Sequence, residues 1–370
     1  YIFDMDILTE HVGKFREILR DTAGLCYAIK TNPFLAEQMA GMTDRLEVCS
    51  IGEFQICRKL QIPPEKLFIS GVLKKKEELY EILEYTGGKS ACTVESPQQF
   101  QYLIDWCEEH HASVPVYLRL SSGNQFGVDW ETLTSMIEIR KNCPFVKIVG
   151  LHYFSGTQKK GTGKIKEEIA YLDQCCKEIE EKHGFFIETL EYGPGLSVSY
   201  FKGEEDHLLE DLKETAEAVK RMRWKGHVVL EMGRALTAVC GYYLTRICEI
   251  KQNEGKKYCM TDGGIHQIQY DGQIRGMYTP EVQIIGEQEE TKEWTVCGSL
   301  CTTNDILIQN MEAGDLKTGD VLAFKKAGAY AAMEGMALFL SHELPAVTFF
   351  SKADGWELIR EKQETYQWNM

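Results

Sequence analysis

Short apolar segments alternate with longer polar stretches through the first two thirds of the chain. The polar stretches include helical patterns: apolar residues in Ile165–Ile179 recur at spacings of three and four, and Glu95–His110 opens with Glu-Ser-Pro, which indicates a helix start. Eight apolar segments have strand character, namely Leu25–Lys30, Leu46–Cys49, Leu67–Ser70, Cys92–Val94, Val116–Leu120, Val146–His152, Thr189–Tyr192 and Val228–Glu231. This alternation predicts an α/β fold with a parallel (β/α)8 barrel, and a doubly wound open sheet is the alternative.

The pattern changes after about residue 240, where turns rather than helices separate the strand-like segments. These segments are Tyr242–Lys251, Lys257–Thr261, Glu281–Ile285, Trp294–Cys297, Val321–Lys325 and Ala346–Phe350. They predict a mainly antiparallel β domain, and the strand-like Tyr1–Asp4 is expected to pair with it. The polar tail after about Glu357 is expected to form a short terminal helix. The predicted organisation is a barrel over 5–240 and a C-terminal β domain over 241–370 together with 1–4.

Composition and charge narrow the class of protein. The 370 residues are 44% apolar and 26% charged, which is typical of a folded protein of about two domains. The net charge of −15 argues against nonspecific binding to nucleic acid or to an anionic membrane. No apolar run reaches the roughly 18 residues of a membrane span, and the opening YIFDMD lacks the pattern of a signal peptide. We therefore expect a cytoplasmic protein.

The cysteines and histidines show no metal-binding pattern. Thirteen cysteines are scattered without a CxxC pair, and the nine histidines do not cluster beside them at ligand spacing. These features favour reduced thiols in a cytosolic compartment and predict no metal site.

Residues with catalytic chemistry follow the predicted barrel strands. In a (β/α)8 barrel the carboxyl ends of the strands form the site. Lys30 ends the first predicted strand, and Glu47 bounds the second. Arg119 lies in the fifth strand, and Glu231 ends the eighth. Two turns of small residues, after the sixth and seventh strands, are expected at the same rim: Phe154–Thr157 and Gly193–Gly195.

Each of these features has a functional and an ordinary interpretation. A lysine in a barrel mouth loses hydration, which favours the neutral amine that forms a Schiff base, but Lys30 could instead face water. The glycines of Gly193–Gly195 let backbone N–H groups approach a phosphate, to which Thr157 would add a hydroxyl, or they form an ordinary turn. Glu231 could keep a pyridine nitrogen protonated, or it could pair with Arg234.

Eight segments match sequence motifs that occur in one consistent order. They are Tyr27–Pro33, Leu46–Glu53, Gln125–Gly127, Gly150–Gln158, Gly193–Gly195, Glu231–Arg234, Cys297–Asp305 and Gly328–Tyr330. Together they resemble the fold-type III decarboxylases that depend on pyridoxal 5′-phosphate (PLP), the family of diaminopimelate, ornithine and arginine decarboxylases. The resemblance covers nearly the whole chain. Alanine racemases share the barrel, but their lysine motif differs from the Lys-Thr-Asn-Pro of Lys30–Pro33.

The resemblance implies roles for these residues. Lys30 would hold PLP as an aldimine, and Glu231 would face the pyridine nitrogen. Glu47 and Arg119 would form a supporting network. Cys301, supplied by the partner subunit of a head-to-tail homodimer, would protonate the carbanion after CO₂ leaves. The phosphate would be held by Thr157, Gly193, Gly195, Arg234 and Tyr330, with Gly233 also at the cofactor.

Three residues of the cofactor motifs change the family pattern or its interpretation. Phe154 stands where the family has a histidine that stacks on the PLP ring, and an aromatic ring can still stack there. His152 matches a different histidine, so the stacking role is not assigned to it. Pro194 replaces the middle glycine of the phosphate turn and removes one N–H donor.

Two further departures concern the substrate. Thr302 follows Cys301 where the diaminopimelate and ornithine enzymes have an acidic residue that binds the distal amine. Tyr270 stands where diaminopimelate decarboxylases have an arginine for the distal carboxylate, and Arg275 is nearby with an open role. The loss of both charges argues against a free diamino acid as the substrate.

Three hypotheses about function result. The first is a PLP-dependent α-decarboxylase of an amino acid, similar to diaminopimelate decarboxylase. The second is a decarboxylase of an aminoacyl group tethered to a carrier protein, because Cys301–Asp305 and Phe339–His342 resemble that branch. The third is a non-catalytic PLP-binding homologue that acts as an interaction protein, against which the retention of Lys30, Glu231 and Cys301 argues.

Overall fold

The computed structural model describes residues 1–285 and 291–370. They form two compact units, one of residues 12–197 and 207–235 and the other of residues 1–11, 198–206 and 236–370. The domain boundary placed near residue 240 from the sequence stays a prediction.

The first unit contains a closed barrel of eight parallel strands. With β1 (Ile2–Asp4) in the other unit, the barrel strands are β2 (Gly24–Ala28), β3 (Arg45–Val48), β4 (Leu67–Ile69), β5 (Ala91–Val94), β6 (Val114–Arg119), β7 (Val146–Phe154), β8 (Thr189–Gly193) and β9 (His227–Met232). Parallel pairing of β2 with β9 closes the barrel, which confirms the predicted (β/α)8 architecture and excludes an open sheet. Each of the eight predicted strands overlaps one of these strands.

Helices connect the barrel strands in the predicted alternation. The helices are α1 (Met5–Leu19), α2 (Ala36–Met42), α3 (Ile51–Lys59), α4 (Lys76–Thr86), α5 (Pro97–His110), α6 (Trp130–Ile139), α7 (Gly163–His183), α8 (Leu208–Lys220) and α9 (Arg234–Thr237). The hydroxyl of Ser96 caps α5 by accepting from the Gln99 N–H at 3.2 Å, and Pro97 occupies the first turn, as Glu-Ser-Pro predicts. In α7 the predicted apolar face is buried. No helix within the described ranges has the length and apolar character to cross a membrane.

The second unit is built on a mainly antiparallel sheet. Its other strands are β10 (Gly241–Asn253), β11 (Lys256–Thr261), β12 (Val282–Ile285), β13 (Lys292–Cys297), β14 (Ile306–Ala313), β15 (Val321–Phe324), β16 (Val347–Ser351) and β17 (Gly355–Arg360). The order is β14-β13-β11-β10-β1-β16-β17, and β15 pairs with β10 and β12. The pairs β1–β16 and β11–β13 are parallel, and the others are antiparallel. The predicted pairing of the N-terminal strand with this domain is confirmed.

The predicted C-terminal helix is wrong. The tail forms strand β17, which pairs antiparallel with β16 after a tight turn that ends at Gly355, whose φ is +77°. Trp356 and Leu358 lie on the same face of this strand, with Glu357 between them on the other face. Only the short turn Tyr366–Trp368 near the end is helical, and it is of the 3-10 type.

Candidate active site

Lys30 lies just beyond a strand end rather than within the strand. Strand β2 stops at Ala28, and Ile29–Thr31 form one turn of 3-10 helix, which corrects the prediction that the strand continues to Lys30. Asn32 ends this turn, and its side chain accepts from the Phe34 N–H at 3.2 Å. The Lys-Thr-Asn-Pro sequence therefore forms two capped turns that fix the backbone of Lys30 at the barrel mouth.

Glu47 and Cys49 hold the amine of Lys30. Glu47 of β3 is buried and pairs with Ala28 in register, so its carboxylate lies beside the Lys30 turn and forms an ion pair with Nζ. The Sγ of Cys49 lies 3.5 Å from Lys30 Nζ and 3.1 Å from Glu47 Oε1. Burial and the Glu47 charge raise the pKa of the Cys49 thiol well above its usual value. Cys49 is therefore a neutral thiol that donates to Glu47.

Arg119 does not join this cluster through Glu47. It is the last residue of β6, and its Nη1 lies 3.1 Å from both carboxylate oxygens of Glu95. Its guanidinium also stacks on the Phe126 ring, 4.6 Å from the centroid. The rim thus carries two separate ion pairs, Lys30–Glu47 and Arg119–Glu95.

Glu95 was missed from the sequence, although a signal for it exists. It directly follows the predicted strand Cys92–Val94, so the criterion of residues at strand ends would have selected it. A carboxylate after a barrel strand is expected to meet cations from the neighbouring strands, as Glu95 does with Arg119.

Glu231 and His152 meet inside the barrel. Nε2 of His152 lies 3.1 Å from Oε2 of Glu231, but the two groups do not reach hydrogen-bond geometry. Both atoms are buried and have no hydrogen-bond partner among the described residues. Burial, assisted by the charge of Arg119, lowers the pKa of His152 to about 3, so the imidazole is neutral. The carboxylate of Glu231 is therefore left without a cationic histidine beside it.

The turns after β7 and β8 pack backbone against backbone. Phe154 pairs with Gly193 in register, and a Cβ on Gly193 would lie 2.5 Å from the Phe154 ring. Gly195 has φ +67°, and a Cβ there would lie 2.0 Å from the Gly156 carbonyl oxygen. Only glycine fits this position without displacing the backbone. Thr157 is exposed next to this contact.

The end of β9 meets the Lys30 turn. A Cβ on Gly233 would lie 1.8 Å from the hydroxyl oxygen of Thr31, so these two segments are in direct contact. Arg234 begins α9 and is buried. The structure thus brings Lys30, Glu47, Glu231, Gly233 and Arg234 to neighbouring strand ends of the barrel.

Cys301 and Thr302 lie in the turn between β13 and β14 of the second unit. Asp305 fixes this turn, because its carboxylate accepts from the Leu300 N–H at 2.7 Å and the Ile265 N–H at 2.9 Å. Cys301 itself is exposed on the turn. The thiol is therefore accessible, on a loop whose base is held in one conformation.

The remaining substrate candidates lie in the same unit. Tyr270 is buried, and its hydroxyl donates to the Lys325 carbonyl at 2.5 Å. Arg275 is exposed, and its Nη2 lies 3.5 Å from the Thr303 carbonyl oxygen. Both side chains line a cavity of about 400 Å³. Tyr330 starts a 3-10 turn, Tyr330–Ala332.

The chain matches known proteins over most of its length. Residues 6–238 match the family model of the pyridoxal-dependent decarboxylase, pyridoxal binding domain. The L-glutamyl-[BtrI acyl-carrier protein] decarboxylase of Niallia circulans is 25% identical over 390 residues, 98% of this chain and 90% of that protein. Diaminopimelate decarboxylase of Methanocaldococcus jannaschii is 28% identical over 373 residues, 92% and 82% of the two chains. A crystal structure of diaminopimelate decarboxylase from M. jannaschii has the same fold, with a TM-score of 0.87 at 23% identity over 98% of this chain and 89% of that chain.

Proposed function

Since the chain belongs to the pyridoxal-dependent decarboxylase family and is therefore a carboxy-lyase that uses PLP, we propose that Lys30 holds the cofactor and that the enzyme removes the α-carboxylate of an amino acid. The observation that carries this proposal is the buried Glu47 carboxylate paired with the Lys30 amine at the barrel mouth. Structural lysines at a strand end do not need a buried carboxylate, because water would solvate them.

The described residues fit PLP on two observations. Glu231 presents a buried carboxylate oxygen without a hydrogen-bond partner among the described residues, which suits a protonated ring nitrogen. The tight packing of Gly195 on Gly156 brings two glycines together, where backbone N–H groups can approach a phosphate. We assign the phosphate to this turn, with Thr157, Gly193 and Arg234, and place Gly233 beside it. The phosphate contact of Tyr330 stays a prediction from the family resemblance.

The chain's own residues then act on charge and protons. When bound, PLP supplies the electron sink that decarboxylation requires. Glu231 would stabilise the protonated pyridine nitrogen, because the neutral His152 leaves the negative charge of Glu231 uncompensated. Glu47 holds the Lys30 amine, and Phe154 would stack on the cofactor ring. In the homodimer that we propose, Cys301 of the partner subunit would provide the proton that the substrate Cα takes up after CO₂ leaves.

The substrate is either a free amino acid or an aminoacyl group tethered to a carrier protein, and one observation favours the tethered group. A free amino acid of the diaminopimelate type needs charged groups for its distal end. The Tyr270 hydroxyl is committed to the Lys325 carbonyl, and Thr302 is uncharged. An aminoacyl group tethered to a carrier protein needs neither charge, and the relative from Niallia circulans carries such a substrate in its name. Arg275 would then contact the tether or the carrier.

The substrate class is tested by CO₂ release from a panel: meso-diaminopimelate, ornithine, lysine, arginine, glutamate and an aminoacyl carrier protein. Release only from the carrier-bound substrate would establish the second class. Release from free diaminopimelate at the highest kcat/KM would establish the first. Binding of PLP without release from any member would favour the non-catalytic alternative.

Attachment at Lys30 is tested by borohydride reduction of the PLP-loaded protein, followed by peptide mass spectrometry. We expect the cofactor mass on the peptide that contains Lys30. Lys30→Ala should lose both this label and CO₂ release. The matched control is Lys66→Ala, which removes a partly buried barrel lysine bonded to the Ala40 and Thr43 carbonyls. Label on another lysine in the parent protein, or full CO₂ release by Lys30→Ala, would contradict the assignment.

A further inference from the structure

Lys74 is a buried lysine that the proposed function leaves without a role. Its side chain is 5% exposed and lies in the loop after β4. Nζ donates to the Gly71 carbonyl at 2.7 Å, the Thr93 hydroxyl at 3.0 Å and the Gln99 side-chain oxygen at 3.2 Å. Its three N–H donors are thus all used, so Lys74 is fixed in one orientation.

Glu95 joins Lys74 to Arg119. Its Oε1 lies 3.9 Å from Lys74 Nζ, and both of its oxygens lie 3.1 Å from Arg119 Nη1. Oε2 also accepts from the Gly127 N–H at 3.3 Å. One fully buried carboxylate thus ties together the loops that follow β4, β5 and β6. A buried group of three charges is seldom better for stability than an apolar cluster, which points to a role in function.

The arrangement restricts Arg119 but leaves donors unused. A guanidinium carries five N–H donors, and in the described part of the chain only Nη1 of Arg119 has a hydrogen-bond acceptor. Stacking on Phe126 fixes the plane of the group. The charge of Arg119 acts on His152, which lies 3.1 Å from Glu231. The unused donors of Arg119 therefore lie at the same rim of the barrel as Glu231, the carboxylate proposed to face the cofactor.

We propose that Lys74 and Glu95 are positioning residues that hold Arg119 so that its free N–H donors bind an anionic oxygen of the cofactor. This inference rests on the proposed PLP site. Glu95 fixes the guanidinium through Nη1. Lys74 keeps the Glu95 carboxylate in place and offsets its charge.

The test measures binding of pyridoxamine 5′-phosphate to the apoprotein, because this ligand has no aldehyde and so does not depend on attachment to Lys30. We expect Glu95→Gln to raise its Kd about tenfold or more, the effect of one charge-assisted hydrogen bond. Lys74→Met should raise it by a smaller factor, and Lys74→Arg should restore part of the affinity. Both losses of affinity should disappear in the Arg119→Met background, since Lys74 and Glu95 act through Arg119.

Controls separate positioning from folding. Asp173→Asn removes another buried carboxylate, one that accepts from the Trp224 N–H at 2.8 Å, and should leave the Kd unchanged even if Tm falls. Glu95→Gln leaves two buried cations, so Lys74→Met provides the measurement if that variant does not fold.

The outcomes distinguish this inference from the proposed function. If Glu95→Gln and Lys74→Met raise the Kd by the same factors in the parent and in the Arg119→Met background, the positioning role is overturned, because the effects are then structural. A parent protein that binds neither PLP nor pyridoxamine 5′-phosphate would overturn the cofactor site itself. Normal binding by the parent with unchanged binding by all Lys74 and Glu95 variants would overturn only the inference.

Discussion

Several buried ionisable side chains of the barrel have shifted pKa values. Burial lowers the pKa of His152 to about 3 and that of Lys74 to about 8. Burial also raises the pKa of Glu191 to about 8, with Arg45 acting against the shift. Each shift favours the neutral form of its group. At the residue scale, the barrel interior therefore keeps net charge low except where ion pairs hold it.

His152 should make stability depend on pH. Its folded pKa of about 3 lies below the ordinary value of 6.5, so the unfolded chain binds the extra proton between these values. The stabilisation is fully present above pH 6.5 and is lost as pH falls towards 3, with a slope of up to about 1.4 kcal/mol per pH unit. His152→Asn should remove this slope from the free energy of unfolding, measured with urea from pH 4 to 7.

The effect of His152 is obtained as the difference in the free energy of unfolding between the parent and His152→Asn at each pH. The raised pKa of Glu191 gives an opposite slope from about pH 4.5 to 8, since the folded state then binds the extra proton. The control is His110→Asn, which alters an exposed histidine. Identical pH profiles for the parent and His152→Asn would show that His152 is not held neutral.

At the element scale, the contact between the turns after β7 and β8 defines the proposed phosphate site. Gly195→Ala would place Cβ 2.0 Å from the Gly156 carbonyl oxygen, so the backbone must move. We expect Kd for PLP to rise about tenfold or more, the loss of one charge-assisted hydrogen bond, together with a lower Tm. Equilibrium titration and thermal unfolding measure the two effects.

Gly161→Ala provides a matched control for that prediction. Gly161 also has a left-handed φ, +74°, but a Cβ there meets nothing within 4 Å. Backbone strain should lower the free energy of unfolding of this variant by about 1 kcal/mol, and its affinity for PLP should be unchanged. Equal losses of affinity in both variants would show that the tight contact is not what shapes the site.

Local patterns predicted most elements because they depend on neighbouring residues. The alternation of apolar and polar positions located all eight barrel strands and the apolar face of α7. It missed β14 and misread β17, whose outward side chains are polar or exposed. Such strands are stabilised by pairing with β13 and β16, and a pairing partner is not encoded in the local period.

At the scale of the whole molecule, the proposed homodimer with shared sites makes a specific prediction. Lys30→Ala and Cys301→Ala should each abolish or strongly reduce CO₂ release. The two variants carry different tags, are produced together, and the mixed dimer is isolated by both tags. If Cys301 serves the partner's site, one of the two sites is intact, and activity should be about half that of the parent.

The alternatives to this arrangement give different results. A mixed dimer no more active than either variant alone would show that Lys30 and Cys301 act within one chain. A monomer in sedimentation at all concentrations would exclude the homodimer. A mixed dimer formed from Lys30→Ala and the Lys66→Ala control should retain one intact site, which checks the assembly method.

The sequence by itself determined the order and type of most elements and selected Lys30 and Glu231, because periodicity, turn residues and strand ends are local properties of a chain. Only the tertiary structure decided the partners of these groups. Glu95 rather than Glu47 binds Arg119, and His152 lies against Glu231. Arg119 and Glu95 are 24 positions apart and come from neighbouring barrel strands, so strand register, and not local pattern, brings them within 3.1 Å.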